Sequence, residues 1–286
     1  LYDGNPLSRL GVNAGLRIDQ NPQNGYTDIS PRFATNYQLT EKSKIRFSTG
    51  VFNQFPSGSA GDSLISSTAI HYIAGYEYKF SNSLYGWIEG YYKDYRNLEY
   101  YDDQLRYSNR GYGRSRGVEL FLRKAKGKIQ GWVSYAIAHS ERLIPLLDEV
   151  KDFEFDQRHI FNLVAEYRFK RNPEQWYIPA LVSINVRYTD GTPYTPVVSA
   201  TNTGSGWTPV DGKPLSQRNS DYQNINLRAE WNIKETPKVL FKSFMEVWNL
   251  TSAKNVQGRS YQYGAQYESN VNEQEYYGTP FLIAGG

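Results

Sequence analysis

The stretch Leu10-Gly11-Val12-Asn13-Ala14-Gly15-Leu16-Arg17-Ile18-Asp19 decides how the rest of the chain is read. Its apolar residues fall on every second position, the period of a strand with one apolar face, not the three-and-four spacing of a helix. The alternation recurs over Ile29 to Leu39, Ile45 to Phe55, Ile70 to Phe80, Val118 to Leu122, Ile129 to Ile137, Phe161 to Phe169, Ile178 to Tyr188, Ile225 to Ile233 and Val239 to Val247. Leu84 to Tyr95 repeats it more loosely, and Thr279 to Gly286 begins it. Twelve candidate strands result. Most run to roughly nine to twelve residues, against a mean of ~5 to 6 in soluble sheets, and they match the ~9 to 11 residues of a tilted strand crossing a bilayer.

Charge separates the two faces of these strands. Arg17, Asp19, Arg32, Lys44, Arg46, Glu77, Lys79, Glu89, Lys93, Glu119, Arg123, Glu166, Arg168, Arg187, Arg228, Glu230, Lys242 and Glu246 all fall in the polar series, and only Asp94, at a strand end, falls in the apolar one. A lysine or arginine facing lipid at mid-membrane costs ~2 to 4 kcal/mol, so purging charge from one face is what lipid exposure demands. The connections alternate as well. Short ones lie at Thr40 to Ser43, Ser81 to Ser83, Ala125 to Lys128, Lys170 to Gln175 and Lys234 to Lys238. Long ones lie at Gln20 to Thr27, Pro56 to Ser66, Arg96 to Ser108, Glu141 to Glu154, Gly191 to Asn219 and Ala253 to Gly278. Tight turns at one rim and long loops at the other describe an antiparallel up-and-down barrel in a bacterial outer membrane, its short turns periplasmic and its first strand running outward. Tyr37, Phe55, Tyr72, Phe80, Tyr92, Tyr135, Tyr167, Phe169, Tyr188 and Trp231 lie in the lipid-facing series, many near strand ends where aromatic girdles form.

Composition excludes several classes. The 286 residues have a mean hydropathy of −0.65 and no apolar run approaching the ~20 residues of a membrane helix. The absence of cysteine removes disulfides, thiolate metal sites and cysteine nucleophiles. With 32 basic and 29 acidic residues the chain has no electrostatic footprint for nucleic acid. Leu1 to Leu10 lacks a basic region followed by an apolar stretch, so a signal peptide is expected upstream of this segment or removed.

Several local strings then fall into a recognisable order. They are Ser30-Pro31-Arg32; Gly50 followed by Gln54-Phe55-Pro56; Tyr91-Tyr92-Lys93-Asp94-Tyr95 with Asn97-Leu98; and Asn109, Gly111 and Gly113 leading to Gly117-Val118-Glu119-Leu120. Further on come Ser134-Tyr135, Asp156-Gln157 with His159, Gly191 with Pro193-Tyr194 and Pro196, and Val247-Trp248-Asn249-Leu250 with Asn255. In this order they resemble the C-terminal part of a TonB-dependent outer-membrane receptor over nearly the whole chain. The resemblance implies that residues 1–286 are the last twelve strands of a barrel of about 22, with a plug domain, a TonB-contacting segment and the first strands absent. It also implies partners: membrane lipid and lipopolysaccharide, the protein's own plug, the TonB energising complex acting through that plug, and an unidentified solute, with no cofactor.

Candidate site residues follow from position. In the long loops Tyr100, Tyr101, Tyr107, Trp207, Arg259, Tyr261 and Tyr263 are the candidates for ligand contact, because aromatic surfaces give contact area at low entropic cost. In the polar series Arg46, Glu77, Glu119, Arg123, Glu166, Arg168, Arg228 and Glu230 are the candidates for facing a plug. His139 beside Ser140, and His159 three residues from Asp156, supply no triad spacing on extended backbone, and His71 reads as a solvated or plug-facing imidazole. Asp148, Glu149, Asp152, Glu154 and Asp156 could offer calcium oxygens but lack the glycine-turned spacing of a calcium loop and read as a solvated acidic loop. The expectation is a non-enzymatic importer in the Gram-negative outer membrane; a self-contained 12-stranded passive channel and an outer-membrane hydrolase are the alternatives.

Overall fold

A computed structural model describes residues 9–22, 25–56, 64–101, 107–144, 148–170, 177–235, 239–262 and 271–285, the side chains at 101, 107, 234 and 235 excepted. Eleven strands of nine or more residues and a short twelfth, β19, follow one another in up-and-down order. They are β1 (Leu10–Gln20), β2 (Thr27–Thr40), β3 (Ser43–Gln54), β4 (Ser67–Lys79), β5 (Leu84–Tyr101), β6 (Tyr107–Lys124), β7 (Ile129–Ile144), β9 (His159–Arg168), β10 (Leu181–Thr189), β15 (Tyr222–Glu235), β16 (Leu240–Trp248) and β19 (Leu282–Gly285). The short β8 (Glu149–Asp152) pairs with the end of β7. Three further pairs lie within the connections: β11 (Pro193–Tyr194) with β14 (Gln217–Arg218), β12 (Val197–Asn202) with β13 (Trp207–Asp211), and β17 (Val256–Gln262) with β18 (Asn272–Tyr277).

The chain divides into two compact units. One, Leu1–Leu120 with Ala136–Asp156, carries β1 to β5, most of β6, the second half of β7 and β8. The other, Phe121–Tyr135 with Gln157–Gly286, carries the remaining ends of β6 and β7 and everything that follows.

All twelve strands expected from the alternation form, and two expectations about connections are corrected. Arg96 to Ser108 is mostly strand, because β5 runs to Tyr101 and β6 starts at Tyr107. Backbone pairing continues past the apolar band, and there the outward residues need no longer be apolar, so the period disappears while the strand persists. The Gly191 to Asn219 and Ala253 to Gly278 connections contain hairpins whose sequences do not alternate apolar with polar and therefore carry no period-two signal.

Burial is inverted relative to a water-soluble sheet. Among the described residues the buried apolar side chains are Leu64 and Ala200, whereas Asp28, Ser30, Ser43, Ser115, Asp156, Thr189, Asn249 and Asn255 are buried. Val12, Leu16, Ile18, Ile29, Ile45, Tyr72, Tyr92, Val118, Ile137 and Phe241 are exposed. The register explains why they share a face: Leu16 sits opposite Pro31, Ile18 opposite Ile29, Tyr37 opposite Ile45 and Tyr72 opposite Tyr92, so each apolar series meets the next. An apolar face toward lipid and a polar face opposite it is the arrangement lipid selects. Gly131 in β7 has a φ of +149°, and a Cβ there would run into the Val164 carbonyl, so the strand turns its corner only with glycine.

Candidate functional site

The polar face of the first unit carries a four-residue ion-pair network. Lys44 on β3 lies opposite Glu77 on β4 and pairs with it at 3.3 Å. Arg46 reaches Glu77 at 3.8 Å and Glu89, on β5, at 3.5 Å. The second contact spans a strand. Gly75 stands opposite both Arg46 and Glu89, and its missing side chain leaves the passage: a Cβ there would sit 3.4 Å from the Glu89 carboxylate. Beside this network is a concavity of about 450 Å³ bordered by Asn13, Asn36, Arg46, Ser48, Ile73 and Glu89. The Arg46 Nε borders it without a hydrogen-bond acceptor among the described residues.

The second unit repeats the device. Arg228 meets Glu246, directly opposite in the ladder, at 3.4 Å and Glu230 at 3.5 Å, and lies 4.0 Å over the Phe244 ring. Lys242 Nζ donates to Glu230 at 2.6 Å. Arg168 donates to Glu166 at 2.9 Å. Of the eight polar-face candidates, six are thus brought into ion pairs within the sheet itself; Glu119, half-buried, and Arg123, exposed, stand on the same series of β6. Sequence reasoning singled out no role for Gly75, Lys44, Glu89, Lys242 or Glu246; the signal available was their shared face.

The connections of the second unit interlock. Arg259 on β17 donates from Nε to Asn219 Oδ1 at 3.1 Å, pairs with Glu273 and, at 2.6 Å, with Glu275 on β18, and covers the Tyr194 ring at 4.2 Å. Its side chain is 12% exposed, so its donors are committed to the protein. Tyr194 in turn donates to Gln217 at 2.6 Å, and Asn219 Nδ2 donates to both the carbonyl and hydroxyl oxygens of Thr192. Tyr277 donates to Glu275, and losing that proton beside the carboxylate is unfavourable, which pushes its phenol above the usual range. Trp207 opens β13 opposite Asn202, and Tyr261 lies opposite Glu273, both part-exposed; Tyr100 is on β5. The side chains of Tyr101 and Tyr107, and all of Tyr263, lie outside the described residues.

The base of this layer is fastened by two asparagines. Asn249, fully buried, donates from Nδ2 to the carbonyls of Ala253 and Thr279 and accepts from the Ala253 N–H at 2.9 Å. Asn255 accepts from the Gln223 N–H and donates to the Gln223 carbonyl. In the first unit Asn109 does the same to Ile65.

The histidines are held by neighbours. His139 bonds Asp152 at 2.9 Å, His159 bonds the Tyr135 hydroxyl at 2.8 Å, and His71 packs on Phe52. The acidic connection is dispersed: Glu149 pairs with Lys151, and Asp156 accepts from the Ser140 N–H.

A lipid-facing apolar face, a polar face of paired charge and structured connections define an outer-membrane β-barrel protein. The profile described as "TonB dependent receptor-like, beta-barrel" matches residues 3–277, and the chain belongs to that family, whose members reside in the Gram-negative outer membrane. No curated protein matches. Among solved structures, the ferric-catecholate import receptor Fiu of Escherichia coli K12 superposes with a TM-score of 0.62 at 14% identity, covering 92% of this chain and 35% of that one. The ferripyoverdine receptor of the Pseudomonas aeruginosa outer membrane gives 0.66 at 14%, covering 97% and 36%. The FrpB iron transporter of Neisseria meningitidis gives 0.59 at 12%, covering 97% and 42%. At such identities the likeness is one of fold. The chain spans 35% to 42% of the length of these three structures.

Proposed function

We propose that this chain is the C-terminal barrel portion of a TonB-dependent importer that carries a scarce solute across the outer membrane. The observation that carries this reading is the family match over residues 3–277. Support for a C-terminal portion comes from the order of the local strings, and support for a portion from the 35% to 42% of each receptor covered. The polar face, with Arg46, Glu77, Glu119, Arg123, Glu166, Arg168, Arg228 and Glu230, would lie against a plug. TonB, pulling on that plug from the periplasm, would open the path; no bond is made or broken. Trp207, Tyr261 and Tyr100 are the aromatic surfaces for capture, and Arg259 would hold the hairpin that presents Tyr261. Because the similar structures include receptors for ferric catecholate and ferripyoverdine, ferric chelates are the solute class to try first.

The full-length protein, expressed in a host stripped of its own ferric-chelate receptors, should support radio-iron uptake that disappears when TonB is deleted. Uptake that persists without TonB, or steady open-pore conductance of the unmodified protein in planar bilayers, would replace this reading with the passive channel.

A further inference from the structure

On the polar face of the first unit, charge changes character along the strands. The row Arg46, Gly75 and Glu89 belongs to the ion-pair network. Two residues along each strand, Ala34, Ser48, Ile73 and Tyr91 form a row without formal charge. Two residues further, Arg32 on β2, Gly50 on β3, His71 on β4 and Lys93 on β5 stand opposite one another in a row of their own. Among the described residues Arg32 and Lys93 make no ion pair, and both rest on rings instead. The Arg32 guanidinium lies 4.6 Å from the centre of the Phe52 ring, that ring lies 4.4 Å from the His71 imidazole, and Lys93 Nζ lies 4.9 Å from the centre of the Tyr91 ring. Gly50 makes room for this: a Cβ there would sit 3.2 Å from the Arg32 stem and 3.3 Å from the Phe52 ring, so both close over bare backbone.

A ring does not do what a carboxylate does. A carboxylate cancels the charge of the cation beside it, whereas the quadrupole of an aromatic ring attracts a cation and leaves its whole charge to be felt outside. The carboxylates around the row are committed. Asp19, which Arg32 also feels, is held by Arg17 at 2.6 Å, Asp28 accepts from the Ser66 hydroxyl, and Glu77 and Glu89 pair with Lys44 and Arg46. The Glu89 row lies four residues away, about 13 Å along the strands, beyond the ~8 Å over which a charge is felt at physiological salt. Arg32 is exposed and His71 and Lys93 are part-exposed, and none of the three side chains donates a hydrogen bond among the described residues. Positive charge, idle donors and flat rings thus coincide in one row.

We infer that this row selects the solute by charge: it is a resting site for a multiply negative, planar solute whose oxyanion groups accept from Arg32, His71 and Lys93 and whose flat groups lie against Phe52 and Tyr91. The site deepens the importer reading and rests on it. Unbalanced positive charge draws the anion to the row, and beyond it the paired charges of Lys44, Arg46, Glu77 and Glu89 offer little hold. The probe is pyranine, a flat fluorescent trisulfonate, titrated onto the purified full-length receptor in detergent and read by fluorescence anisotropy, with a pyrene bearing one ammonium group as the cationic counterpart. Wild type should bind pyranine at least tenfold more tightly than the ammonium probe. R32Q/K93Q should bind pyranine at least tenfold more weakly than wild type, the scale of one lost charge-assisted contact, and the ammonium probe no more weakly. Equal binding of the two probes to wild type, no binding of pyranine, or a variant within threefold of wild type overturns the site. Should the double variant lose its heat-modifiable mobility, R32Q and K93Q are titrated singly, with about threefold expected of each, and unchanged binding by both overturns the site. Radio-iron uptake is followed in parallel: absent or TonB-independent uptake with probe discrimination intact refutes only the importer reading, and absent discrimination with TonB-dependent uptake intact refutes only this site.

Discussion

Asn249→Ala removes a side chain that three backbone groups depend on. The residue is fully buried and closes the turn after β16 by bonding the Ala253 N–H, the Ala253 carbonyl and the Thr279 carbonyl at 2.9 to 3.0 Å. Each bond contributes about 1 kcal/mol net, so their loss costs about 3 kcal/mol. The backbone adds to this. Asn249 has a φ of 49°, which asparagine tolerates and alanine adopts at a further cost of about 1 kcal/mol. The total of about 4 kcal/mol corresponds to roughly a thousandfold rise in local opening. Hydrogen–deuterium exchange of the full-length protein in detergent reads this directly in peptides covering 249–256 and 279–283. Asn249→Gly loses the hydrogen bonds but escapes the backbone cost, so its exchange should rise about fivefold to tenfold less than that of the alanine variant. If exchange in N249A stays within threefold of wild type, the clip does not hold the turn and the reasoning fails. If alanine and glycine variants exchange alike, the conformational part of the argument is wrong.

Three other outcomes are open to direct measurement. Cysteine replacing Lys126, in a short turn, should resist an impermeant thiol reagent on intact cells, and cysteine replacing Trp207 should react; labelling at 126 and not at 207 would invert the topology. Arg259→Ala strips the β17–β18 hairpin of its ties to Asn219 and Tyr194 and of its internal pairs with Glu273 and Glu275, and limited trypsinolysis at Arg218 and Lys213 should accelerate at least tenfold; an unchanged rate would show that the two connections are ordered independently. Gly131→Val drives a side chain into the Val164 carbonyl and should sharply lower the yield of heat-modifiable protein in the outer membrane, whereas normal assembly would mean that β7 shifts to accommodate it.

The strands were legible because lipid enforces the alternation that marks them. Leu10 to Ile18 and Ile45 to Phe55 announce themselves since every outward residue must be apolar and every inward one may be charged. That signal ends where lipid ends, which is why β5 beyond Tyr95 and β6 before Val118 read as loop although their ladders continue. The hairpins at 193–218 and 256–277 escaped for a related reason: they do not face lipid along their length, so no alternation is enforced on them. Within the candidate site, the sequence placed Arg46, Glu77, Arg228 and Glu230 on one face, but their partners depend on register. Gly75 illustrates the difficulty, as its contribution is the room it leaves between two strands not adjacent to each other. Arg259 was legible as a loop residue and not as a tie, because Glu273, Glu275, Asn219 and Tyr194 come from distant stretches of chain.

The pairing of Lys44 and Arg46 with Glu77 and Glu89, and of Arg228 and Lys242 with Glu230 and Glu246, has a consequence for anything that slides along this face. Isolated charges would act as monopoles, and a charged body moving past would be trapped at one and repelled at the next. Opposite charges within 4 Å of each other act as dipoles, whose potential falls as the inverse square of distance where that of a single charge falls only as its inverse, and mobile ions with a screening length of about 8 Å at physiological salt flatten it further. A surface dense in arginine, lysine and glutamate is in this way made electrically smooth. It can be wetted as thoroughly as any charged wall and still offer little adhesion to a chelate or a polypeptide passing a few ångströms away, so movement along it meets a nearly level energy profile.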